Sequence, residues 1–185
     1  LSDRKEYFEP YLVLGTGRSG TSTVARILHT CFDIFMGENF RSPDKNNPKG
    51  FWEDIEFRNI NNAILTGEAN EYQWRNVFEH LIIKRRTMYK SWGIKDPRIC
   101  DLIKLYLEYF KKPIIIRCNR NMQSIIDSMV SCYGWAYEEA EKLYRHRMSM
   151  LDAHLDGREV LEISFDEDIS DEKIVELIKD YMKRE

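Results

Sequence analysis

The chain has 185 residues, 43% hydrophobic and 32% charged, a balance that excludes a disordered or fibrous chain and predicts one domain, 1–185, with a sizeable core. A formal net charge of −3 offers no bulk attraction for nucleic acid, so any anion must be held by local arrangement. No apolar run approaches membrane-spanning length and Leu1–Glu6 lacks a signal-peptide core, so a cytoplasmic protein without a membrane span is expected, although a start on Leu1 leaves room for a removed leader.

The apolar run Tyr11–Leu14 predicts a strand that enters a glycine-rich turn, and Val24, Ile27, Leu28 and Cys31 then mark one face of a helix over 19–31. Strand, glycine turn and helix N-terminus in that order cradle phosphates, because converging N–H groups and the helix dipole favour an anion. The frame Gly15-x-x-x-x-Gly20-Thr21-Ser22 matches a Walker A loop, except that Thr21 stands where nucleotide-hydrolysing proteins place their lysine. The cation is instead Arg18, inside the loop. The pattern predicts a phosphate-like ligand and argues against a nucleoside triphosphate.

Further along, Asp33–Met36 predicts a second strand, with Glu38 just past its end, and Phe40–Phe51 is a long irregular segment rich in Pro, Asn, Asp and Gly. Helices are expected near 54–66, 71–90, 98–110, 121–132, 136–155 and 171–183, alternating with strands at Ser91–Ile94, Pro113–Cys118 and Val160–Phe165. Alternation of this kind predicts an α/β fold, a mainly parallel sheet between two helical layers. Ligands of such sheets sit beyond the carboxyl ends of the strands, which gives weight to Lys95 and to Arg120. A guanidinium at the turn after Pro113–Cys118 suits an oxyanion, and Ser128, about two helical turns on, carries a hydroxyl that can return towards the same group. Arg117 competes less well, since Ile125 lies eight positions after it.

Other features read as structural. Lys84-Arg85-Arg86 is expected on a solvated helix end, and Tyr144, Arg145, His146 and Arg147, which offer contacts to an acidic acceptor, are expected on an exposed mixed-charge helix. His29 reads as a partly buried structural histidine, and Trp52, Tyr133 and Trp135 as core or rim aromatics that can also stack on a ring. Cys31, Cys100, Cys118 and Cys132 form no Cys-x-x-Cys pair, which predicts mostly buried free thiols in a reducing compartment. No metal is expected: there is no His-Glu-x-x-His, and Pro113–Cys118 does not end in an aspartate.

Taken together, Arg18-Ser19-Gly20-Thr21-Ser22, Lys95-Asp96-Pro97 and Arg120 with Ser128 resemble the sulfotransferases that use 3′-phosphoadenosine 5′-phosphosulfate (PAPS). The resemblance is to the small bacterial and tyrosylprotein-like branch, to which Asn47-Pro48-Lys49-Gly50-Phe51-Trp52-Glu53 is also similar. It implies a P-loop-like architecture without metal, with Gly17, Arg18, Ser19, Gly20, Thr21 and Ser22 on the 5′-phosphosulfate and Arg120 and Ser128 on the 3′-phosphate, at opposite ends of one nucleotide. Arg18 and Lys95 would neutralise charge on the leaving oxygen. A carboxylate would take the acceptor's proton, with Glu38 ranked first from its place after a strand and Glu53 second, although an ungapped match puts the family's glutamate on Asn39. The acceptor would be a hydroxyl or amine on a small molecule, saccharide or peptide. The glycine-rich, tryptophan-containing C-terminal segment of cytosolic sulfotransferases is missing, and Asn121-Met122-Gln123 follows Arg120 without the frequent proline. A P-loop kinase or ATPase, and a non-catalytic anion-binding member of the family, are the competing readings.

Overall fold

The computed structural model describes residues 9–183. Four strands, β1 (Tyr11–Leu14), β2 (Gly93–Lys95), β3 (Ile114–Asn119) and β4 (Leu161–Ser164), form one sheet of order β2-β1-β3-β4. Every pairing is parallel. Seven helices cover it: α1 (Thr21–Cys31), α2 (Ile55–Thr66), α3 (Glu71–Met88), α4 (Ile99–Tyr109), α5 (Met122–Tyr133), α6 (Tyr137–Leu155) and α7 (Asp171–Met182).

The two-residue period of the strands divides the core. Leu12, Leu14, Ile94 and Ile115 face one layer, where they pack with Phe57, Phe78, Ile103 and Leu151 of α2, α3, α4 and α6. Val13, Ile116, Cys118 and Ile163 face the other, against Val24, Ile27 and Leu28 of α1 and Ile174 and Ile178 of α7. This is the three-layer α/β/α arrangement that the alternation predicts.

The run Asp33–Met36 forms no full strand. Phe35 makes a single parallel bridge to Trp92, donating to the Ser91 carbonyl and accepting from Gly93. Asp33 at φ 55 and Gly37 at φ 142 turn the chain away on either side, so too few extended residues remain to build a ladder. Parallel register brings all the carboxyl ends to one edge: Val13 pairs with Lys95, Leu14 with Arg117, and Asn119 with Ser164. The glycine turn, Lys95, Arg120 and Phe165 therefore emerge together.

Candidate active site

Gly15–Ser22 joins β1 to α1 in a tightly confined path. A methyl carbon on Gly15 would stand 2.6 Å from Ser19 Oγ and 2.7 Å from the Cys118 carbonyl, and one on Gly20 would stand 2.5 Å from the Phe165 ring. The loop is thus wedged between the ends of β3 and β4. Ser19 Oγ donates to the Thr16 carbonyl at 2.8 Å and closes it from below. Arg18 adopts φ 73, a left-handed conformation uncommon outside glycine, of the kind that turns successive N–H groups towards one side. α1 starts with neither a side-chain cap nor an acidic residue in its first turn, so the positive end of its dipole faces the loop.

The expected anion grips meet here. Arg18 Nε donates to Ser128 Oγ at 2.8 Å and its Nη1 to the Asn46 carbonyl at 3.1 Å, while Arg120 Nη1 donates to the Arg18 carbonyl at 3.3 Å. The two grips are not separated; Arg18 bridges them into one cationic surface. Arg117 points elsewhere and pairs with Asp152 at 2.8 Å.

Lys95 is the last residue of β2 rather than the residue beyond it, and its side chain is only 2% exposed. Its ammonium donates to Ser22 Oγ at 3.2 Å, the Phe51 carbonyl at 2.9 Å and Glu53 Oε1 at 3.1 Å. The ion pair with Asp96 that sequence adjacency suggests does not form. Asp96 instead accepts from Asn61, which accepts from Tyr106, and clamps the Arg98 guanidinium at 2.9 Å. Glu53 arrives on Trp52 at φ 55 and is buried. Its Oε2 has no hydrogen-bond partner among the described residues; Arg58 Nε at 3.6 Å and Arg41 Nη1 at 3.8 Å attract it only through charge.

The next residue, Asp54, caps α2 by accepting from the Glu56 amide at 2.9 Å and is gripped by Arg85 Nη2 at 2.5 Å. Burial pushes the Asp54 carboxyl above its ordinary value, and Arg85 opposes that rise. Arg85 is therefore not on a solvated face: its side chain is 2% exposed and fastens α3 to the start of α2. Glu38 lies outside the cleft. It is exposed and accepts from the Tyr89 hydroxyl at 2.7 Å, whereas Glu53 lines the cleft.

A cleft of about 860 Å³ opens over these groups. Gly17, Arg18, Gly20, Thr21, Ser22, Glu53, Lys95 and Arg120 line it, whereas Ser19 is buried under the loop and Ser128 is reached through Arg18. Eight Arg and Lys side chains face four Asp and Glu there, in a chain of net charge −3, so the positive field is local and directed. The 40–51 segment crosses the glycine turn: Asn46 Nδ2 donates to the Cys132 carbonyl and Asn47 Nδ2 to Ser22 Oγ.

Arg41, Arg58, Arg98, Arg147 and Phe165 also line the cleft, and sequence reasoning did not single them out as site residues. Arg147 had been placed with an exposed helix, yet Asp101 holds it in a two-pronged pair, 2.7 Å at the shorter contact. Arg41 and Arg58 carried no spacing signal, because Glu53 lies before the N-cap Asp54 and outside the helical pairing distances of α2. Trp52 packs with His29 and Phe40 below the site, while Tyr133 and Trp135 stand at its rim. Cys100 and Cys118 are buried, the Cys100 thiol pushed up to about 11 by desolvation, whereas Cys31 is exposed. Among the described residues no group of three or more His, Cys, Asp or Glu side chains could hold a metal ion, and no helix is long and apolar enough to cross a membrane.

Comparison with known proteins agrees with this fold. The chain is similar in fold to TT1252 from Thermus thermophilus, at 14% identity and a TM-score of 0.51, covering 96% of this chain and 98% of that one. It also aligns with a Chloroflexus aurantiacus j-10-fl protein provisionally described as a kinase, at 12% identity and a TM-score of 0.48, covering 97% and 98%. No curated protein sequence matches it. The model of the sulfotransferase family matches residues 10–178, a span from the strand before the glycine turn to the last helix, and the chain belongs to that family.

Proposed function

We propose that the protein transfers a sulfuryl group from PAPS to a hydroxyl or amine acceptor. One observation carries the reading: the buried Lys95 ammonium stands between Ser22 at the glycine turn and Glu53, joining the anion cradle to a carboxylate whose second oxygen accepts no hydrogen bond among the described residues. Both phosphates of the donor hang from one ribose, so the contiguous surface made by Arg18, Arg120 and Ser128 suits them better than two distant grips. The N–H groups of residues 19–22 and Arg18 would hold the 5′-phosphosulfate, and Arg120 with Ser128 the 3′-phosphate. Phe165 beside Gly20, and Tyr133 and Trp135 at the rim, offer ring faces to an adenine.

The donor supplies an electrophilic sulfur. The acceptor oxygen bonds to it, the sulfur–oxygen bond to the 5′-phosphate breaks, and the electron pair stays on that phosphate as PAP leaves. Lys95 and Arg18 neutralise the charge gained there, and Glu53 Oε2 takes the acceptor's proton.

The kinase reading is weaker on two counts. Thr21 replaces the phosphate-binding lysine, and the Ser22 hydroxyl, which in a P-loop NTPase ligates Mg²⁺, is here bonded to the Lys95 ammonium, so a fixed cation already stands beside it. A non-catalytic role is disfavoured because Glu53 lines the cleft next to Lys95.

Two variants test the assignment. Arg120→Ala should weaken PAP binding by about tenfold or more. Lys95→Ala should leave PAP affinity within about twofold and lower transfer by about a hundredfold or more, with a melting curve checking that the fold survives. Equal PAP affinity of Arg120→Ala and the parent would remove the 3′-phosphate assignment.

A further inference from the structure

The donor's anions account for Arg18, Arg120 and Lys95, but Arg41 and Arg58 stand on the other side of Glu53 and are left over. Both are about one-third exposed at the cleft, 33% and 31%. The Arg41 guanidinium lies 3.5 Å over the Phe51 ring, which fixes its plane. Arg58 Nε is buried without a hydrogen-bond partner among the described residues, and its desolvation is offset only by the charge of Glu53 at 3.6 Å. Among the described residues one carboxylate, Glu53, pairs with all three cations, and Asp44, 3.7 Å from Arg41, adds to it.

We infer that the acceptor is itself an anion: a hydroxyl compound carrying a carboxylate or sulfate close to the reacting oxygen, bound by Arg41 and Arg58. The inference rests on the sulfuryl-transfer reading and on Glu53 as base. A hydroxyl that reaches Glu53 Oε2 has its neighbouring atoms beside both guanidinium groups, because Oε2 is the oxygen they face. Proton transfer to Glu53 leaves the net charge of the site unchanged, because the negative charge passes to the acceptor oxygen and then to its sulfate ester. Lys95, Arg41 and Arg58 therefore outnumber the charge of Glu53 throughout, and an anion already on the acceptor supplies counter-charge beside the two guanidinium groups. Arginine rather than lysine at both positions suits a two-pronged grip on a planar carboxylate.

The test uses hydroxyl compounds in pairs that differ only in charge: 2-hydroxyphenylacetate with 2-hydroxyphenylacetamide, and methyl β-glucuronide with its amide. Each is titrated calorimetrically into the PAP-saturated protein, PAP affinity having been measured first. The acid of at least one pair should bind about tenfold or more tighter than its amide. Arg58→Gln should bring the two within about twofold of each other at unchanged PAP affinity, and Arg58→Lys should recover part of the preference. Equal binding within both pairs, no binding by either acid, or an acid preference that survives both Arg58→Gln and Arg41→Gln would overturn the proposal. If PAP itself does not bind, the donor reading fails first and this proposal with it; if PAP binds and the acids gain nothing, only the anionic acceptor is lost.

Discussion

Glu53 illustrates what a single side chain requires to act as a base in a cationic site. Its two oxygens have different surroundings: Oε1 accepts from Lys95, and Oε2 accepts from nothing among the described residues. That asymmetry leaves one oxygen for a proton while the other keeps the carboxylate oriented. Glu53→Gln keeps the shape and removes the basicity, so transfer should fall by about a hundredfold or more with PAP affinity little changed, whereas Glu38→Gln should leave transfer within about twofold. Rate measurements on the two variants side by side check this, and a larger loss from Glu38→Gln would reverse the assignment. At this scale the sequence was informative where a motif fixes the backbone and ambiguous where only residue type speaks. Arg18 and Arg120 follow strand ends and Lys95 closes one, and all three places were legible to within a residue. Glu38 and Glu53 each follow an apolar stretch, and what separates them is whether Phe51-Trp52-Glu53 is carried over the glycine turn, which depends on Lys95 Nζ and Ser22 Oγ both bonding to the Phe51 carbonyl.

Among the elements, the glycine turn is held by what presses on it. Gly20→Ala adds a methyl at φ 95 that would meet the Phe165 ring at 2.5 Å, so it should cost about 2 kcal/mol or more and weaken PAP binding. Gly67→Ala is the matched control: Gly67 has φ 72 with nothing within 4 Å, and the substitution should cost only the backbone strain of about 1 kcal/mol. Denaturant titration of both separates the clash from the strain; equal losses would show that Phe165 does not confine the loop.

The start of α2 carries a pH signature. The folded Asp54 carboxyl is raised above its ordinary 3.8, mainly by burial, so the folded chain holds this proton more tightly than the unfolded chain. The Asp54 contribution is therefore favourable at low pH and declines as pH rises from about that value through the higher folded value. Stability of Asp54→Asn, measured against the parent by denaturant titration, should shift in the variant's favour across that window; a gap that stays flat with pH would contradict it. The helices were legible from their periodicity almost to the residue, as α6 at Tyr137–Leu155 against an expected 136–155 shows. Asp33–Met36 was not, because a four-residue apolar run does not reveal the left-handed turns that stop it from pairing. Arg85 was misread for a related reason: a basic triplet late in a helix looks solvated until the carboxylates of another helix's first turn are brought against it.

For the whole molecule, parallel connectivity does the assembling. Four strand ends at one edge gather residues from 17 to 171 into one cleft, and the chain's net charge of −3 is inverted locally by eight basic side chains. The fold and the glycine turn were readable because both are written in contiguous patterns, short apolar runs alternating with helical periods and a glycine frame. The acceptor wall was not, because Arg41 and Arg58 come from an irregular segment and a helix face that meet only through Glu53. The central claim is that this cleft takes a nucleotide carrying a 3′-phosphate without the help of a divalent metal. Isothermal titration with PAP in the presence of a chelator, set beside titration with ATP and Mg²⁺, tests it most directly. The account predicts micromolar or tighter binding of PAP and at least about tenfold weaker binding of ATP with Mg²⁺. Micromolar binding of ATP with Mg²⁺ and none of PAP would contradict it.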